Sequence, residues 1–264
     1  MPVLSTVGAA SLRAFGAFRP SSAAASFIAA TGGIVTTLGN YKYHTFNGSG
    51  TFNVTAAPLD KYIDILLVGA GGTSGGNSST GGGGGVIIRE GESIGLGSYS
   101  ITVGQPVNGA GSNGQDTVAI GLTALGGGGG GISGYPDNYV AGKSGGSGGG
   151  AAAIFGGPSG PPVSSSAGAG LQPTSESGGF GNAGGLGVLV SGSMMVGAAG
   201  GGAGGAASGN TPGPGKSGLP LSSTLYGGGG SFSFTPSANT GWGGTDANNN
   251  NATAGIVIIR YLYQ

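Results

Sequence analysis

The chain has 264 residues, no cysteine, and eight acidic residues against eight lysines and arginines. That composition excludes disulfides and thiolate metal sites, and net neutrality gives no reason to expect nucleic acid or an anionic membrane as partner. Glycine supplies 68 of the residues, against an ordinary share of roughly 7%. Yet only 6% of the chain is charged and 37% is hydrophobic, the reverse of the charge-rich, poorly hydrophobic make-up of disordered chains.

Residues 1–40 differ in character from the remainder of the chain. Residues 11–19 have the spacing of one or two helical turns, with Leu12, Phe15 and Phe18 on one side and Arg13 and Arg19 between them. Pro20 stops that pattern. The stretch from 21 to 37 is small and apolar without a clear period. Two readings stand: an arm that docks on another protein, or a loose terminal arm. Its first charge, Arg13, comes late, so no signal peptide is expected. No apolar run approaches the roughly 18 residues of a membrane span.

From Tyr41 the signal is β. Tyr41, Tyr43 and Thr45 alternate with Lys42, His44 and Phe46, and Asn47-Gly48-Ser49-Gly50 comes next as a turn before 51–55. Asn-Gly between two such runs predicts a hairpin. Further strands are expected at 62–68, 86–90, 98–103, 117–125 and 255–263. The last repeats the Val-Ile-Ile-Arg of residues 86–89, and its apolar character places it inside the same sheet system.

The glycines are clustered at 69–72, 81–85, 126–131, 145–150, 178–185, 200–205 and 227–230, too dense for turn punctuation. Ordering 68 of them costs on the order of 100 kcal/mol of backbone entropy, with no side chain to bury in return. The compensation must come from backbone hydrogen bonds between closely packed segments. Polyproline-II-type helices permit this, with three residues per turn and every N–H and C=O directed at a neighbour. A mostly-β protein is therefore expected: a β-sandwich-like base carrying a bundle of short polyglycine-II helices with projecting loops. Its domain would run from 41 to 264, after a short N-terminal arm at 1–40.

Candidate chemistry is sparse. Gly69-Ala70-Gly71-Gly72 opens like a dinucleotide fingerprint, but position 74 is Ser74 and more glycine comes next instead of a helix. Gly215-Lys216-Ser217 resembles a phosphate loop whose first glycine would fall on Asn210. Both are read as decoys, and no cofactor or metal is implied. His44, the single histidine, sits in a strand pattern and is read as structural. The carboxylates are scattered, with Asp64 read as an outward position or a partner of Arg89 or Arg260. Asn47, Asn53, Asn77 and Asn251 head Asn-x-Ser/Thr triplets, read as chance in a chain rich in these residues.

The inserts between glycine runs carry aromatics beside amides: Tyr135, Asp137, Asn138 and Tyr139 in one, Phe232, Phe234, Asn239 and Trp242 in another. Phe155, Phe180 and Tyr226 lie in similar places. Such sets suit binding of sugars or proteins at low entropy cost. They equally suit capping of the glycine bundle.

The ordered set YKYHTFNGSGTFNVT, IDILLVGAGG, GGGGGVIIREG, SYSITVG, TALGGGGGG and GIVIIRYLY resembles the glycine-rich domain of bacteriophage virion and tail-fibre proteins over about residues 41–263. It is similar in kind to the tip adhesins of T-even-like long tail fibres. The resemblance implies a polyglycine-II sandwich whose loops bind bacterial surface proteins or glycans. It implies a virion protein present in several copies or as a homo-oligomer, made in the host cytoplasm and docked on other virion proteins through its arm. No enzymatic activity and no membrane insertion are expected. The alternative function is a structural virion component, a capsid decoration or tail-assembly protein.

Overall fold

The computed structural model describes residues 26–76, 79–134, 138–154, 163–191, 194–219, 224–230, 237–245 and 251–264. The arm residues Leu12, Arg13, Phe15, Phe18 and Arg19 lie outside them.

The base is built from ten strands in two antiparallel sheets. In chain order the first nine are β1 (Ala29–Thr31), β2 (Ile34–Leu38), β3 (Tyr41–Phe46), β4 (Gly50–Ala56), β5 (Tyr62–Val68), β6 (Val86–Ser93), β7 (Gly97–Thr102), β8 (Thr117–Ala119) and β9 (Leu122–Ala124). Eight short strands come next as hairpins: β10 (Ile132–Gly134) with β11 (Asn138–Val140), β12 (Ala153–Ile154) with β13 (Val163–Ser164), β14 (Val188–Ser191) with β15 (Met194–Val196), and β16 (Lys216–Ser217) with β17 (Leu225–Tyr226). The chain returns to the base in β18 (Ile256–Leu262). One sheet has the order β1-β4-β7-β8-β9 and the other β2-β3-β18-β5-β6. The expected β class and sandwich base are what the chain folds into.

The two sheets pack face to face. Phe52, Val54 and Ile101 from the first meet Phe46, Ile63, Ile65, Leu67, Val257, Ile259 and Tyr261 from the second in one buried cluster. The other face of the second sheet buries Leu66, Val68, Val86 and Ile256 under Ala203, Leu219 and Tyr226, from the glycine-rich half of the chain. A strand such as β5 is therefore covered on both faces near its end, which is why its sequence, IDILLV, is nearly continuous in apolar residues.

The segment 41–56 departs from its expected form. β3 and β4 do not pair with each other: β3 joins β2 and β18, while β4 joins β1 and β7. The Asn47-Gly48-Ser49 turn is a corner between sheets. Each run carries an apolar face, and a flat hairpin would leave both on one layer. Turning the corner brings Phe46 and Phe52 together edge to face, ring centroids 6.5 Å apart. Residues 29–38, read from sequence as part of the arm, are strands of the two sheets, and Ile28 is in the core. They cross between sheets through Gly32 and Gly33, both at positive φ, where a Cβ on Gly32 would stand 2.0 Å from the Thr51 carbonyl oxygen.

The repeated Val-Ile-Ile-Arg has a structural meaning. β6 and β18 flank the same strand, β5, so Leu67 faces both Ile87 and Val257. A bulge between Ile63 and Ile65 shifts β6, so Arg260 lies opposite Asp64 and Arg89 opposite Ile65. Arg260 Nε donates to Asp64 Oδ2 at 2.8 Å. Burial works against the Arg260 charge, and its bonds to Tyr43 and Asp64 outweigh this, holding its pKa above the ordinary value. Arg89 donates instead to the Ser177 carbonyl.

His44 is structural, as its place in the alternation suggests. Its Nδ1 lies 2.7 Å from the Gly32 carbonyl oxygen, which can only accept, so Nδ1 carries the proton. Nε2 then accepts from the Tyr261 hydroxyl at 3.0 Å. Burial, then the nearby Lys42, lower the His44 pKa against the pull of the Gly32 bond. Burial raises that of Tyr261.

Candidate functional site: loops held by a glycine lattice

The glycine runs stand on one end of the sandwich. β5 runs out into 69–76 and β9 into 126–131, while 81–85 runs into β6 and Gly255 into β18. The β5–β6 ladder continues into them, with Gly69 N–H donating to the Gly85 carbonyl.

Within this region the hydrogen bonds repeat every three residues. The amides of Gly81 and Gly84 donate to Gly244 and Gly241, those of Gly82 and Gly85 to Gly128 and Leu125, and those of Thr80 and Gly83 to Ala198 and Gly201. Each amide at i and i+3 thus addresses the same neighbour, and one run bonds to three neighbours in turn. The carbonyls obey the same rule: Gly82 and Gly85 accept from Gly72 and Gly69, and Thr80 and Gly83 from Gly150 and Ser147. Three residues per repeat with no bond inside the run is the bonding pattern of a polyproline-II-type backbone. The expected polyglycine-II helices are not themselves resolved as helices. The threefold network is what the structure shows in their place.

Close approach explains the composition. A Cβ on Gly83 would stand 2.1 Å from the Gly227 carbonyl oxygen, and one on Gly128 would stand 1.9 Å from that of Lys143. No side chain fits there. Where side chains do enter, they supply missing partners. Thr80 Oγ1 donates to the Gly230 carbonyl and accepts from the Gly200 amide. Asp116 Oδ1 accepts from the Gly126 amide at 2.7 Å.

Gln172, fully buried at the start of a 3₁₀ turn (Gln172–Thr174), is the strongest such anchor. Its Oε1 accepts from the Leu125 amide at 2.6 Å, and its Nε2 donates to the Gly178 carbonyl and Ser175 Oγ. It lies against Gly85, where a Cβ would meet Oε1 at 2.2 Å. Sequence reasoning missed it, and its place between Leu171 and Pro173 in a polar insert carries no signal.

Each short hairpin leaves the lattice from one glycine run and returns in the next: β10–β11 between 126–131 and 145–150, β14–β15 between 178–185 and 200–205. Of the candidate loop residues, Asn138 and Tyr139 are backbone members of β11. Tyr135, Asp137, Phe155, Phe232 and Phe234 lie outside the described residues. Asn239 holds a turn at φ 55°.

Trp242 covers Gly228, whose Cβ would meet the indole at 2.6 Å, and its Nε1 donates to the Leu225 carbonyl at 3.1 Å. Tyr226 is a core residue, 5% exposed. Phe180 is partly exposed beneath the Lys216 ammonium, 4.4 Å from its ring centroid. Trp242 thus packs on the lattice, and Tyr226 on the outer face of the second sheet. Among the described residues no three His, Cys, Asp or Glu side chains gather into a metal-binding group, and no helix is long and apolar enough to cross a membrane.

An antiparallel β-sandwich bearing a glycine lattice from which short hairpins branch defines the class of protein. The chain belongs to the glycine-rich domain family, whose model matches residues 45–262. No curated protein sequence matches it.

Proposed function

We propose that this chain is a non-enzymatic bacteriophage virion protein, a tail fibre or tail-tip adhesin. It binds a bacterial surface protein or glycan through the loops between its glycine runs. The supporting observation is the lattice: runs bonded to three neighbours form a rigid frame, and four of the inserts are hairpins that leave one run and return in the next. Binding residues on loops held by a rigid scaffold are the usual arrangement for recognition surfaces. The test exchanges residues 135–139 or 231–236, which leaves the lattice glycines in place, for unrelated sequence and measures binding of purified protein to a panel of bacterial strains. The strain pattern changes with at least one exchange. An unchanged pattern after both exchanges contradicts the adhesin.

A second reading, a structural virion component docked by its arm, draws on a different observation. β2 is an edge strand whose Ile34, Val35 and Leu38 are 58%, 48% and 56% exposed, with no charge, proline or bulge in it. The opposite edge, β6, carries Arg89, Glu90 and Glu92, the usual protection against strand addition. An unprotected edge directly after the arm suits pairing with another chain in a multi-copy assembly. Deleting residues 1–25, which spares Ile28 and both first strands, then abolishes incorporation into particles while loop exchanges do nothing.

A further inference from the structure

The end of the sandwich opposite the lattice carries its own cleft. Register places Leu38, Tyr41, Leu262 and Tyr62 in one row across the outer face of the second sheet, and Tyr43, Arg260 and Asp64 in the next. The cleft has a volume of about 210 Å³ and is lined by Tyr41, Asp60, Lys61, Tyr62, Asp64 and Leu262. We propose that it is a binding site for a neutral pyranose sugar, one ring deep. The site is separate from the loops and does not depend on their role.

The chemistry selects the ligand class. Both carboxylates are already paired: Asp64 with Arg260 at 2.8 Å and Asp60 with Lys61 at 3.1 Å. The cleft is electrically balanced, so a cation gains little there. An anion would meet the unused lone pairs of two carboxylates. A wholly apolar ligand would bury those lone pairs without donors.

A polyol suits them. Asp64 Oδ1 accepts the Gly91 amide and Oδ2 accepts Arg260 Nε, and a carboxylate has about four acceptor positions. Each oxygen therefore keeps one position for a ligand hydroxyl. The carboxylate is also pre-oriented by two fixed donors, which lowers the ordering cost on binding.

The aromatic partners are present as well. Tyr62 is 53% exposed. Tyr41 has the Arg260 guanidinium 4.6 Å from its ring centroid, which fixes the ring's position. Rings with an open surface bury the C–H face of a sugar, and Leu262 supplies apolar floor. The volume lies below the roughly 300–1,000 Å³ of drug-sized sites, enough for one ring and too small for a chain lying within it.

The test titrates full-length protein with the methyl glycosides of glucose, galactose, mannose and N-acetylglucosamine, monitored by heteronuclear NMR. At least one sugar gives saturable shifts at Tyr62, Asp64 and Leu262 with a millimolar Kd. Tyr62→Ala and Asp64→Asn weaken it at least about tenfold, while Tyr62→Phe stays within about threefold. Phe180→Ala, remote from the cleft, changes nothing. Thermal melts confirm that the Tyr62 variants, altered at an exposed side chain, remain folded. Absence of saturable shifts with all four sugars overturns the proposal, as does binding that survives Tyr62→Ala. Shifts confined to the hairpin loops would overturn it while favouring the loop reading.

Discussion

Replacing Gly83 with alanine tests the close packing of the glycine runs at their centre. An alanine Cβ would stand 2.1 Å from the Gly227 carbonyl oxygen and 2.7 Å from that of Gly228. Those oxygens accept from the Ala203 and Gly243 amides at 2.7 and 3.0 Å. Relieving the clash requires the 227–228 backbone to move, and it is backbone on every side, so two buried bonds are put at risk. A buried donor left without its partner costs about 1–3 kcal/mol, and overpacking adds about 1–3 kcal/mol. The reduced freedom of alanine in the unfolded chain returns only about 0.4–1 kcal/mol.

The expected loss is therefore about 3–6 kcal/mol. At about 2–4 °C per kcal/mol for a chain of this size, the melting temperature falls by about 6–24 °C. Gly48→Ala is the control, since a Cβ there meets nothing within 4 Å, and it changes stability by less than about 0.5 kcal/mol. Urea titration and thermal melts of both variants decide. Equal stability of the two would refute the reasoning.

Three further outcomes are expected. Gln172→Ala destabilises by about 2–4 kcal/mol, and Gln172→Met, which restores volume without the bonds, recovers less than half of that in urea titration. Full recovery would mean that Gln172 acts by packing. Arg260→Leu costs about 2 kcal/mol, between the surface and buried limits for ion pairs, and a double-mutant cycle with Asp64→Asn gives about 1 kcal/mol of coupling; zero coupling contradicts the pairing. Stability also falls as pH drops below about 6.5, the unperturbed histidine value. The folded-state pKa of His44 is depressed, so the unfolded chain takes up the proton first and is favoured. Unfolding free energies measured between pH 7.5 and 5 show this slope, and His44→Gln reduces it.

The six longer strands of the base are legible from sequence because alternation and β-branching are local signals, whereas the single strand expected at 117–125 is the pair β8 and β9. Residues 62–68, 86–90 and 255–263 were placed to within about three residues at their ends. Partner choice was not legible. Asn47-Gly48 has hairpin chemistry, yet the corner forms because Phe46 and Phe52 gain more by meeting across two sheets, a contact no local window contains. The boundary at residue 40 failed for the same reason, since β1 and β2 are short, poor in signal and held by distant strands. Glycine content announced an element stabilised by its backbone, but three identical-looking neighbours per run cannot be told apart by residue type. Asp64 had two arginines to choose between, and a single-residue bulge in β5 decided it.

Amide hydrogen exchange along the runs tests the central claim most directly. Each N–H from Gly81 to Gly85, in 126–131 and 145–150, and at Gly200, Gly201, Ala203 and Gly204 is held by a backbone or side-chain acceptor on a different run or insert. Protection in these residues comparable to that of β5 and β18 is the predicted result. Exchange at the rate of an unstructured chain while β5 stays protected would contradict it.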